Sequence, residues 1–125
     1  MEKGHQVLCV EDNADNQLLL SYYLKKNPCK LTFAKDGFVA IDMLKEGKYD
    51  LFLIDINLPN GMDGFEVARV IRQNPEHREK PILIISAFSK SDIQKPDDAP
   101  YINGYLSKPI RKAEFIEALD YYLNV

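Results

Sequence analysis

Four of the five short apolar runs in this chain hand over to a residue able to do chemistry. Glu11 and Asp12 follow the run Gln6–Val10, Asp55 follows Leu51–Ile54, Ser86 closes Ile82–Ser86, and Lys108 comes just after Gly104–Leu106. Three carboxylates brought together repel one another, and a cation relieves that repulsion. Hard oxygen donors with no Cys or His beside them suit Mg²⁺ rather than zinc. Mg²⁺ prefers an octahedron of oxygens and keeps several waters. Two direct carboxylates, a backbone carbonyl and an incoming phosphoryl oxygen therefore suit it, and one Asp can serve as nucleophile. A carboxylate attacks a phosphoryl donor to give an acyl phosphate, while the metal and the Lys108 ammonium offset charge on the equatorial oxygens. Taken singly, each residue has an ordinary explanation as a helix cap, a solvated charge or a turn former. Their joint occurrence at four strand ends carries the reading.

For these residues to meet, the runs must lie side by side as strands with their carboxyl ends together. The alternation of apolar runs with longer amphipathic segments, including the remaining run Lys30–Ala34, predicts that arrangement. Ligands of an open parallel sheet bind at the carboxyl ends of the strands, where the winding reverses. Runs 51–54 and 82–86 show little polar alternation, as expected when helices cover both faces. The fold class is a doubly wound α/β sandwich.

A first helix is predicted over Ala14–Lys26, with Leu18, Leu19, Tyr22 and Tyr23 as its apolar stripe, Asp12 or Asn13 as N-cap, and Asn27-Pro28 as its end. A second starts after Asp36-Gly37, uses Val39, Ala40, Met43 and Leu44, and stops at Gly47. A third runs from about Phe65 to Gln73 with Phe65, Ala68 and Ile71 inward. The last, about Arg111 to Leu123, repeats Phe115, Ile116, Leu119, Tyr122 and Leu123. These stripes are read as core, without chemistry. Between the fourth and fifth runs the pattern fails. Phe88–Asn103 holds Pro96, Pro100 and Asp97-Asp98, and an interior proline costs a helix about 3 kcal/mol, so the fourth crossover helix is expected to be weak or missing.

Bulk properties narrow the function. The chain has 125 residues, 46% of them hydrophobic, enough for one domain with a proper core. Its 16 basic and 19 acidic residues give a net charge of −3, without the basic excess that binding a nucleic-acid backbone calls for. No apolar run approaches the roughly 20 residues needed to span a bilayer, so no membrane insertion and a cytoplasmic location are expected. Cys9 and Cys29 form no CxxC pair, and Cys9 reads as a buried reduced thiol. His5 and His77 lack the flanking pattern of a phosphorylated kinase histidine and are expected to be solvent-exposed spectators.

With those residues in place, the sequence resembles the receiver domains of two-component signalling along nearly its whole length, 1–125. The matching stretches are Val10-Glu11-Asp12-Asn13, Asp50 through Pro59, Met62-Asp63-Gly64, Ile85-Ser86-Ala87 and Gly104-Tyr105-Leu106-Ser107-Lys108-Pro109. The resemblance implies a flavodoxin-like receiver fold with five parallel strands in the order 2-1-3-4-5. It implies that Asp55 accepts the phosphoryl group and that Asp12 and Asp55 ligate Mg²⁺ directly. Glu11 would act through a metal-bound water and Asn57 would offer its backbone carbonyl. Lys108 would pair with a phosphoryl oxygen, Ser86 would be the switch hydroxyl, Tyr105 the aromatic whose rotamer follows it, and Pro109 would follow a cis peptide bond. The implied partners are a sensor histidine kinase or histidine phosphotransfer protein and a downstream effector protein or domain. The domain would not be an enzyme with a separate substrate, only the site of its own phosphoryl transfer and slow autodephosphorylation.

The sequence departs from the family pattern in three places. Asn60-Gly61 adds one residue between Pro59 and Met62, which enlarges the loop beside the site without removing a ligand, and little effect on metal binding is expected. Phe88 cannot orient an attacking water, which implies slow self-dephosphorylation, to be tested with Phe88→Glu or Phe88→Asn. A weak fourth crossover would order only with a partner or on phosphorylation, so amides of residues 89–103 should exchange freely in the unphosphorylated protein. Two rivals stand beside the receiver reading. Haloacid-dehalogenase-like phosphatases need a second Asp where this chain has Asn57, and their domain is larger. A non-phosphorylated, receiver-like interaction module would have no use for the intact set Glu11, Asp12, Asp55, Ser86 and Lys108. The chain reads either as a single-domain regulator or as a piece of a longer hybrid kinase or regulator.

Overall fold

The computed structural model describes residues 4–86 and 101–123. Its strands are β1 (Gln6–Val10), β2 (Lys30–Ala34), β3 (Leu51–Asp55), β4 (Ile82–Ser86) and β5 (Gly104–Ser107). Among the described residues there are four helices, α1 (Ala14–Tyr23), α2 (Gly37–Glu46), α3 (Gly64–Gln73) and α4 (Lys112–Leu123). The strands are all parallel and form one sheet in the order β2-β1-β3-β4-β5, the doubly wound arrangement expected. Phe88 and the fourth crossover segment up to Pro100 lie outside the described residues.

Side chains alternate across each strand, so the sheet builds two cores. Leu8, Val10, Phe52, Ile54, Ile82 and Ile84 meet Ala40 and Leu44 of α2 and Phe65, Ala68 and Ile71 of α3. Val7, Cys9, Leu51, Leu53, Leu83 and Ile85 meet Leu20 of α1 with the following Leu24, and Phe115, Leu119 and Leu123 of α4. All five residues of β3 and of β4 are buried, which is why those runs read as continuously apolar. Each fully buried Leu, Ile or Phe contributes about 1.5–3 kcal/mol relative to exposure.

The helix starts follow their caps. Asn13 Oδ1 accepts the Asn16 amide at 2.9 Å, so of the two cap candidates it is Asn13 that opens α1, and the Asp12 carboxylate is left for other use. Asp36 Oδ1 accepts the Val39 amide at 2.8 Å to open α2. Asp63 and Glu66 form a reciprocal capping box at the start of α3, 2.9 Å in each direction.

Three sequence expectations are corrected. The buried apolar stripe of α1 is Leu20 with Leu24, whereas Leu18 and Tyr22 are 71% and 67% exposed. Apolar residues surround this helix, so periodicity did not single out a face. The helix also stops at Tyr23 rather than Lys26: the Leu24 amide is shared between Leu20 and Ser21 carbonyls, and Lys25 N–H turns to Tyr22 O, tightening the last turn. Finally, His77 is not exposed. It is 1% accessible, its Nε2 accepting the Tyr49 amide at 3.1 Å, and its ring meets Phe52 edge-on with centroids 5.5 Å apart.

Candidate functional site

Register assembles the site. Val10 of β1 pairs with Ala34 on one side and Ile54 on the other, so Glu11 emerges level with Asp55. Asp55 pairs with Ile85 and Ser86 with Ser107, which sets Ser86 and Lys108 one step further along the same edge. Backbone bonds continue the ladder past the strand ends: Glu11 N–H to Ala34 O at 2.9 Å, Ile56 N–H to Ile85 O at 3.0 Å, and Lys108 N–H to Ser86 O at 2.8 Å. The side chains at this edge therefore project from a rigid frame.

One ligand-capable oxygen from each of Glu11, Asp12 and Asp55 lies within 4.8 Å of the others. Glu11 and Asp55 are buried and Asp12 is exposed, so the cluster opens to solvent on the Asp12 side. Lys108 Nζ stands 2.6 Å from Asp55 Oδ2 and 3.6 Å from Glu11 Oε1. Asp55 Oδ1 accepts the Asn57 amide at 3.0 Å, and Glu11 Oε2 accepts the Asn13 amide at 3.0 Å. Gln17 Nε2 donates to the Glu11 carbonyl at 2.6 Å, tying α1 to the end of β1.

The electrostatics follow from that crowding. Burial, reinforced by the Asp55 charge, pushes the Glu11 carboxyl up, against the opposing pull of the Asn13 amide and Lys108. Burial also works to lower the Lys108 ammonium, but its hydrogen bond and charge pairing with Asp55 and Glu11 outweigh it, and the net shift is upward. Three carboxyl groups and one ammonium meet here, so acidic groups outnumber the cation by two. A divalent cation matches that excess, and an oxygen-only donor set at this spacing fits a hard one. Cys9, below the cluster, is buried and its thiol is raised well above its ordinary range by desolvation, as for an inert core thiol.

Of the remaining residues singled out by sequence, Ser86 is buried at the end of β4. Tyr105, on β5 opposite Ile84, is half-buried against the core shared by α2 and α3. The Lys108-Pro109 peptide bond is cis.

The loop from Ile56 to Asp63 borders the cluster. Gly64 is required at its far end, because a Cβ there would sit 2.5 Å from the Asp55 carbonyl oxygen. Asn60 and Gly61 adopt left-handed φ values of 69° and 92°, conformations that Asn tolerates and Gly adopts freely. Asn60 Nδ2 donates to Asp36 Oδ2 at 2.7 Å. Sequence reading did not find this contact. The Asn-Gly pair signals a turn, yet nothing local points from it to a residue 24 positions earlier.

Comparison with known proteins agrees with this fold. The family model for the response regulator receiver domain matches residues 7–120. The chain is 31% identical over 118 residues to the polar-differentiation response regulator DivK of Brucella anthropi, covering 94% of this chain and 95% of that protein. It is 29% identical, with a TM-score of 0.84, to the receiver domain of a sensor histidine kinase from Pseudomonas aeruginosa that carries a magnesium ion in its active-site cleft, covering 98% and 99% of the two chains. The chemotaxis protein CheY4 of Vibrio cholerae has the same fold, with a TM-score of 0.87 at 24% identity over 95% and 98% of the two chains.

Proposed function

The chain belongs to the response regulator receiver domain family, and from that membership we propose that it takes a phosphoryl group onto Asp55 in a Mg²⁺-dependent reaction and relays the event as a change of conformation. The observation that carries the reading is the cluster itself: a buried Asp55 carboxylate within 4.8 Å of two further acids and 2.6 Å from the Lys108 ammonium. Asp12 and Asp55 would hold the metal directly, with Glu11 through a water and Asn57 through its backbone carbonyl. When bound, Mg²⁺ supplies charge neutralisation for the phosphoryl oxygens.

The chain's own residues do the rest. An Asp55 carboxylate oxygen forms the new O–P bond as the donor's bond to phosphorus breaks, and the leaving imidazole or acetate departs with that electron pair. Lys108, already paired with Asp55, shifts its charge to the incoming phosphoryl oxygens. The Asn57 amide holds Asp55 Oδ1 and so orients the nucleophile. Ser86 would then close on the phosphoryl group and Tyr105 would follow it inward. The donor is a sensor histidine kinase or a histidine phosphotransfer protein, and the recipient of the signal is an effector protein or domain. Residues 1–125 act as one such domain, in the cytoplasm. No helix among the described residues is long and apolar enough to cross a membrane.

Incubation with acetyl phosphate and Mg²⁺, followed by intact-mass spectrometry, tests the reading. We expect one added phosphoryl group, lost on adding a chelator beforehand and absent in Asp55→Asn. A wild-type protein that stays unmodified is instead an interaction module of receiver fold, and labelling that persists in Asp55→Asn moves the acceptor elsewhere.

A further inference from the structure

We infer that Asn60 and Asp36 form a clamp that presets the metal-facing loop, making Asn60 a positioning residue that acts through Asp36. The inference rests on the phosphoacceptor reading of the site. The loop between Asp55 and α3 carries Asn57, and Asn60-Gly61 makes it one residue longer than the usual family pattern. A longer loop has more conformations to lose on binding, which should weaken the site. The structure offsets that cost at the added position. Asn60 takes the left-handed conformation that turns the chain, and its amide donates at 2.7 Å to Asp36 Oδ2.

Asp36 is a firm anchor. It is 5% exposed, and its other oxygen accepts the Val39 amide at 2.8 Å to cap α2. The two hydrogen bonds, Val39 first and Asn60 second, hold its carboxyl below the usual range. A second contact secures the same junction. Met62 packs onto Gly37, where a Cβ would approach Met62 Sδ to 2.7 Å and Val67 Cγ2 to 2.8 Å, so a larger residue at 37 would push these two side chains aside. The ends of the loop carry hydrogen bonds of their own, Asn57 N–H to Asp55 Oδ1 and the Asp63–Glu66 capping box, which open more often when the middle is released. Among the described contacts its middle is fixed by the clamp and by Leu58 and Met62, which pack against the core shared by α2 and α3, and the clamp is its one side-chain hydrogen bond there. Affinity falls in proportion to the fraction of molecules whose loop is in place, and one hydrogen bond changes the balance between in-place and out-of-place loops by about fivefold, the upper limit of the effect on binding.

Three variants separate clamp from cap. Asn60→Gly keeps the left-handed backbone and removes the donor. Asp36→Ser keeps a good cap for α2 but is too short to reach Asn60. Asp36→Asn keeps the cap and can still pair with Asn60 once the Asn60 amide turns over, so it is the rescue. Amide exchange of Asn57 and Gly64, whose N–H groups donate to Asp55 Oδ1 and the Ile56 carbonyl, is followed by NMR in metal-free protein, with Mg²⁺ affinity from the same spectra and thermal melting as a check on folding. Asn60→Gly and Asp36→Ser should exchange about fivefold faster and bind Mg²⁺ about two- to fivefold more weakly, with Asp36→Asn close to wild type. Wild-type exchange and affinity in the first two variants overturn the inference and leave the phosphoacceptor reading standing. Faster exchange with unchanged affinity also overturns it, by reducing the clamp to a structural contact. If wild type itself ignores Mg²⁺, the phosphoacceptor reading fails and takes the metal-positioning role with it, while exchange still reports whether the clamp holds the loop.

Discussion

Acidification should destabilise this protein through His77. Its Nε2 accepts the Tyr49 amide at 3.1 Å, so that nitrogen carries no proton and the proton resides on Nδ1, which has no hydrogen-bond partner among the described residues. The ring is wedged between Phe52 and Tyr49, with centroids 5.5 Å and 6.0 Å away. Protonation would set a donor against the Tyr49 donor and place a cation in apolar contact. Burial accordingly lowers the His77 pKa, with Lys80 reinforcing the shift and the Glu76 and Asp50 carboxylates opposing it. Because the folded pKa lies below the unfolded value of about 6.5, the unfolded chain binds the proton first as pH falls. Stability is therefore full above about pH 6.5 and declines below it until the folded form also titrates, at a limiting slope of about 1.4 kcal/mol per pH unit. That is a sizeable part of a domain's total of about 5–15 kcal/mol. Urea unfolding followed by circular dichroism, at steps from about pH 7.5 to about pH 5.5, measures it against His77→Gln, which stays neutral and offers an acceptor oxygen. The variant should be the less stable at neutral pH, through lost ring packing, and the gap should narrow as pH falls. Parallel stability curves for the two proteins would refute the reasoning.

Lys108→Ala should separate metal binding from chemistry. With the ammonium gone from beside Asp55 and Glu11, Mg²⁺ affinity measured by calorimetry should rise by up to about tenfold, while labelling by acetyl phosphate should slow by about a hundredfold or more. Weaker Mg²⁺ binding in this variant would contradict the charge balance described for the cluster. Arg72→Met should cost about 2–4 kcal/mol in urea unfolding, because the guanidinium donates to the carbonyls of Arg78, Lys80 and Tyr101 and to Asn103 Oδ1, and Met leaves them without that donor. A loss under about 0.5 kcal/mol would mean that water replaces those bonds freely.

The elements legible in the sequence were those whose signal is local. Leu51–Ile54 and Ile82–Ser86 read as strands because both their faces are covered, which leaves no polar alternation, and β3 and β4 are indeed buried throughout. Glu11, Asp12, Asp55 and Lys108 stood out because each comes at or just past the end of such a run, and parallel strands bring their ends together whatever their separation along the chain. The face of α1 was not legible, since Leu18, Leu19, Leu20, Tyr22, Tyr23 and Leu24 allow more than one inward stripe, and only docking against β1, β3 and α4 selects Leu20 and Leu24. His77 looked like a loop residue among Glu76, Arg78, Glu79 and Lys80, and its burial depends on Tyr49 and Phe52, more than twenty positions earlier.

Which residues are of a type able to do chemistry, and that they fall at strand ends, was therefore written in residue type and spacing alone. Tertiary structure decided which carboxylate oxygen faces Lys108 and that the extra turn at Asn60 closes onto Asp36. The physical reason is range. Strand formation and capping are set within a few residues, whereas these pairings join groups made neighbours only when helices pack on the sheet, and no local propensity encodes that distance.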